Sequence, residues 1–117
     1  MTFIKRYLRR FRFAFGGLFY ALRCDFSFRW QVIAAGGFLV AVGYFAWPLS
    51  STEILFLILA YSLILITELQ NSALEEALDH LHPELHDRIG RTKDMAAGSV
   101  LLAGFFAIAV SVSLLFF

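Results

Sequence analysis

Glu68, Asn71, Glu75, Glu76 and Asp79 stand in the stretch ELQNSALEEALD, directly after ILFLILAYSLILIT, fourteen residues without a charge. Carboxylates at the edge of such an apolar run are costly in lipid and need a chemical reason. At about 100° per helical residue, Glu68, Asn71, Glu75 and Asp79 fall on one stripe roughly 80° wide. Glu76 lies at its margin and Gln70 opposite. The stripe is about 16 Å long at 1.5 Å per residue. Three acids and an amide so placed repel one another unless cations sit among them. An oxygen-only set of this kind suits Mg²⁺, which keeps several waters and is held by one or two carboxylates together with substrate phosphates. The same acids would also serve as the solvated end of a helix. Glu68 argues for more, because the uncharged run leads straight into it.

The following segment, DHLHPELHDRIGRTKDM, brings Arg88, Arg91 and Lys93 opposite the acids, where basic groups can hold phosphates. GRTK lacks the spacing of a P-loop. His80, His82 and His86 straddle Pro83, and no repeated Glu-x-x-His pair accompanies them, which speaks against a transition-metal bundle site. Cys24, the single cysteine, is expected to be a small, half-buried helix residue rather than half of a disulfide or a metal ligand.

These groups must be positioned by helices. The 117 residues are 60% hydrophobic and 16% charged, with 14 Phe, and mean hydropathy is +0.74. That composition belongs to an integral membrane protein and excludes an ordinary soluble domain. A net charge of +1 suggests no nucleic-acid partner. The reading is an all-α membrane protein forming a single domain over 1–117. It has three membrane helices, at 30–47, 54–79 and 95–117, and an N-terminal amphipathic surface helix over 1–29. Spans of about 20 apolar residues cross a bilayer core, so the second, apolar only over 54–67, must run on past Glu68. Trp47-Pro48 begins a turn, with Ser50, Ser51 or Thr52 as N-cap of the next helix. His82-Pro83 breaks the chain again, and Gly90 reads as a loop residue. No cleavable signal peptide is predicted.

All ten Lys and Arg lie at positions 5–29 or 88–93. The positive-inside rule therefore puts the N-terminus and 68–94 in the cytoplasm, and the 48–53 turn and the C-terminus outside. Phe3, Ile4, Tyr7, Leu8, Phe11, Phe15, Leu18, Phe19 and Leu22 recur every three to four residues with Arg among them. That pattern predicts a helix in the headgroup layer; a plain basic anchor would share it.

Taken together, Glu68-x-x-Asn71-Ser72-Ala73-Leu74-Glu75, then Asp79, then Glu84-x-His86-x-x-x-Gly90-Arg91-x-Lys93-Asp94-Met95 resembles the signature of the small prokaryotic diacylglycerol kinase family, which includes undecaprenol kinases. Gly17-Leu18, Ala21, Arg23, Asp25 and Phe28-Arg29 resemble the family's surface helix and first-span entry, so the likeness covers nearly the whole chain. It implies a multi-pass homotrimer in the bacterial inner (cytoplasmic) membrane, with sites between subunits near the cytoplasmic face. It implies phosphorylation of a lipid hydroxyl from MgATP, with diacylglycerol as substrate and phosphatidic acid as product. In the roles it implies, Glu68 is the base and Asn71 orients it or the lipid, while Asp25 and Glu75 hold Mg²⁺ and the nucleotide. Arg6, Phe13, Glu84, Leu85, His86, Lys93 and Asp94 contact ATP. Arg6, Arg29, Glu68 and Ala97 contact the lipid.

This chain departs from the family pattern in three places. Asp25 stands where Glu is usual, one methylene longer. Phe13 stands where a Tyr can meet ATP. Met95-Ala96-Ala97-Gly98-Ser99 is closer to the undecaprenol kinase version, so that lipid is the alternative substrate. An ion-coupled transporter using Glu68 as a proton relay, or an adaptor without chemistry, are the readings outside the family.

Overall fold

The computed structural model describes residues 2–117 as four helices: α1 (Phe3–Cys24), α2 (Phe26–Phe45), α3 (Ser51–Leu81) and α4 (Asp87–Phe116). Helices α2, α3 and α4 are long and apolar enough to cross a membrane. Their large apolar side chains, such as Ile33, Phe38, Leu55, Ile58, Leu102 and Phe105, point outward and are exposed. In lipid this costs nothing, since acyl chains solvate them as well as a core would.

The helices meet through small residues. Helix α3 packs along α4, and Ala60 and Ile64 are buried there with Ala103, Ala107 and Val110. Ala103, Ala107 and the buried Ser111 recur every four residues and so lie on one face of α4. The Ser111 hydroxyl donates to Ala107 O at 2.7 Å, and the Thr67 hydroxyl to Leu63 O at 2.7 Å, so neither is left unpaired in an apolar setting. Helix α2 packs on α3 at Gly36. There Tyr61 Oη donates to Val32 O at 2.9 Å, and a Cβ on Gly36 would stand 3.2 Å from that hydroxyl.

Helix ends follow local chemistry. Ser50 caps α3, accepting from Glu53 N at 3.2 Å and donating to Glu53 Oε1 at 3.0 Å. Helix α3 stops at Leu81, with His82 as C-cap ahead of Pro83. Five expectations need correction. Helix α1 ends at Cys24 rather than 29 and α2 starts at Phe26 rather than 30, because Asp25 caps α2 by accepting from Phe28 N at 3.2 Å. Helix α4 starts at Asp87 rather than 95, because the His86 ring accepts from Arg88 N at 3.1 Å and Asp87 suits the positive end of the helix. Gly90 is consequently helical, not a loop residue. Cys24 is exposed rather than half-buried, since it closes a helix that nothing covers at that point.

Candidate active site

The continuation of α3 beyond its apolar stretch carries the candidate site residues Glu68, Asn71 and Glu75. Glu68 and Asn71 are only 6% and 8% exposed, although Ile66 and Gln70 beside them face outward. Asn71 Nδ2 donates to Glu75 Oε1 at 3.5 Å, one turn along. Asn71 Oδ1 is buried and meets no partner among the described residues. A buried amide oxygen left unpaired costs about 1–3 kcal/mol, which is tolerable where a reactant completes the set.

Asp25 reaches this region from the α1–α2 junction. It lines a hollow of about 550 Å³ together with Tyr20, Ser72, Glu75, Glu76 and Asp79. Glu68 stands on the same face of α3 as Glu75, about two helical turns before it. Among the described residues no three His, Cys, Asp or Glu side chains converge as a metal centre. Two carboxylates on one open hollow are nevertheless the donor set that Mg²⁺ requires, since phosphate oxygens and waters complete its shell. Asp25 spends Oδ1 on its cap and keeps Oδ2 for such a role.

The remaining acids of the stripe have partners. Asp79 is ion-paired with Lys93 of α4, so the cation that meets the end of the stripe comes from within the chain. Glu76 accepts from Tyr20 Oη at 3.2 Å. That bond, and the carboxylate charge behind it, hold the Tyr20 phenol above its ordinary titration range. Tyr20 did not stand out in the sequence, and Glu76 did so only as the margin of the acidic stripe. They are 56 positions apart, and the only hint was their placement beside Asp25 and Glu75.

The other candidates are dispersed. Leu85, His86 and Asp94 line a separate depression with Asp87, Gly90 and Arg91. Lys93, on a different face of α4, turns to Asp79 instead. The Glu84 carbonyl engages His82 Nδ1 at 3.1 Å. Arg6 and Phe13 lie exposed on α1, and at 1.5 Å per residue Arg6 is about 21 Å along the helix from Tyr20. Arg29 donates to Leu22 O at 3.5 Å and Arg23 O at 3.3 Å, covering the last turn of α1. Ala97 is exposed on α4. One chain thus gathers Glu68, Asn71, Asp25 and Glu75, brings Lys93 to the edge of their hollow through Asp79, and leaves Arg6, Phe13, Glu84, Leu85, His86 and Asp94 apart from them.

Comparison with known proteins bears on this arrangement. Residues 12–115 match the family described as "Prokaryotic diacylglycerol kinase". The chain is 31% identical over 103 residues to a diacylglycerol kinase of Escherichia coli (strain K12), covering 87% of this chain and 82% of that one. It is 33% identical over 106 residues to a diacylglycerol kinase of Synechocystis sp., covering 90% and 59%. It is 30% identical over 92 residues to a diacylglycerol kinase of Haemophilus influenzae, covering 79% and 76%.

Proposed function

Because the chain belongs to the prokaryotic diacylglycerol kinase family and is therefore a lipid kinase, we propose that it transfers the γ-phosphoryl group of ATP to the free hydroxyl of diacylglycerol, giving phosphatidic acid. The observation that carries the reading is the burial of Glu68 and Asn71 where the apolar stretch of α3 ends, beside a hollow lined by Asp25 and Glu75. That is where a lipid hydroxyl at the membrane surface meets a water-soluble nucleotide.

Phosphoryl transfer asks mainly for positioning and neutralisation of charge. Glu68 takes the proton of the lipid hydroxyl as the oxygen attacks the γ-phosphorus. General-base help of this kind contributes about 10²–10⁴-fold. Asn71 orients Glu68 or the lipid, so that the hydroxyl's one proton faces the Glu68 carboxylate. Asp25 and Glu75 would hold Mg²⁺, which when bound neutralises phosphate charge. Lys93 meets the phosphates, and Asp94, Glu84, Leu85 and His86 border the nucleotide. Arg6 and Phe13 reach the nucleotide, and Arg6, Arg29 and Ala97 the lipid.

The distance of Arg6 and Phe13 from the stripe within one chain favours a homotrimer in which a site takes groups from two subunits. The exposed apolar residues along α1, with Arg among them, support a helix lying in the cytoplasmic headgroup layer. The positions of the basic residues support a bacterial inner-membrane protein whose N-terminus and 68–94 segment are cytoplasmic.

The test is transfer of ³²P from ATP by the purified protein to a panel of diacylglycerol and polyprenols. Label in phosphatidic acid is expected. Label in polyprenyl phosphate alone would assign the chain to undecaprenol, the lipid suggested by Ala96-Ala97-Gly98.

A further inference from the structure

Among the described residues, one side-chain hydrogen bond joins α1 directly to α3: Tyr20 Oη to Glu76 Oε1. Its two ends flank the proposed metal pair. Glu76 follows Glu75 on α3, and Tyr20 precedes Asp25 by little more than one helical turn. Arg29 extends the connection. By binding the carbonyls of Leu22 and Arg23 it ties the start of α2 to the end of α1, so the junction holding Asp25 moves with Tyr20. Asp25 at the α1–α2 junction and Glu75 on α3 are like charges, and without a cation between them their repulsion favours moving that junction away from α3.

We propose that Tyr20 is a positioning residue that acts through Glu76 to hold Asp25 at its working distance from Glu75, so that the two carboxylates meet one divalent cation. Tyr20 touches neither nucleotide nor lipid in this role. The inference rests on the reading of Asp25 and Glu75 as the metal pair. A site whose halves are aligned only part of the time binds more weakly in proportion to that fraction, while catalysis after binding proceeds as before. Losing the bond should therefore appear in cation and nucleotide affinity and not in kcat.

The experiment measures Mn²⁺ binding by electron paramagnetic resonance, with a non-hydrolysable ATP analogue present and lipid substrate absent, beside steady-state kinetics. Tyr20→Phe is expected to weaken Mn²⁺ binding roughly three- to tenfold, the range expected for one hydrogen bond. It should raise KM for MgATP alike and change kcat by less than about twofold. Glu76→Ala should match it. Glu76→Gln, which keeps an acceptor, should stay near wild type. Tyr20→Phe/Glu76→Ala should be no worse than either single change, because both remove the same bond. Unchanged Mn²⁺ affinity in Tyr20→Phe, additive effects in the double variant, or Glu76→Gln as weak as Glu76→Ala would each overturn the proposal. Asp25→Asn and Glu75→Gln serve as controls. If they weaken Mn²⁺ binding and Tyr20→Phe does not, only the positioning role fails. If they are silent, the metal pair is wrong and the proposal falls with it.

Discussion

Asn71, buried on α3, donates through Nδ2 to Glu75 Oε1 and leaves its own Oδ1 without a partner. One face of the amide thus steadies a carboxylate of the proposed metal pair, and the other waits for a donor. Asn71→Ala removes both and should lower phosphoryl transfer by about 10–100-fold, the range for a hydrogen bond to a charged group. Asn71→Asp keeps the acceptor and loses the donor while crowding a third charge beside Glu68 and Glu75. It should be at least as damaging. Initial rates at saturating MgATP and lipid check both.

Asp25 has two duties that substitution can separate. As N-cap of α2 it satisfies Phe28 N, a role Asp fills and the longer Glu does not. Asp25→Asn should preserve the cap and thermal stability while raising the Mg²⁺ concentration needed for half-maximal activity. Asp25→Ala should do the same to the metal dependence and also lose about 1 kcal/mol of stability. Melting temperature and Mg²⁺ titration, measured on the same samples, separate the two. An unchanged Mg²⁺ requirement in both variants would place the metal elsewhere.

Shared sites make a further prediction. If Glu68 belongs to one half of a site and Arg6 to another subunit's half, inactive Glu68→Gln and Arg6→Ala chains mixed during assembly should recover part of the activity. In a randomly mixed trimer some interfaces carry both changes and others neither, so recovery stays below wild type. Mixed trimers proved by crosslinking, yet inactive, would confine each site to one subunit.

Much of this was legible in residue order. Three apolar runs announced three membrane helices. Pro48 and Pro83 marked the two breaks, and helical spacing placed Glu68, Asn71 and Glu75 on one stripe. The helix junctions were harder. Asp25 and His86 act as caps by accepting from the backbone N–H of Phe28 and of Arg88, and nothing in the apolar pattern around 26–29 or 87–94 distinguishes a polar helix start from a loop. Gly90 misled for that reason, since a glycine can sit in a helix at a cost of about 1 kcal/mol. The pairings Tyr20–Glu76 and Lys93–Asp79 depend on how helices cross, and no local period encodes that.

The base assignment is the centre of the account, and the most direct measurement is the single-turnover rate of ³²P transfer from ATP to diacylglycerol by Glu68→Gln beside wild type, with ATP binding followed in the same preparation. A neutral amide of the same shape keeps the packing of a residue 6% exposed but accepts no proton. The account predicts a rate lowered by about 10²–10⁴-fold with ATP affinity nearly unchanged. A Glu68→Gln protein that transfers phosphate at close to the wild-type rate would contradict it.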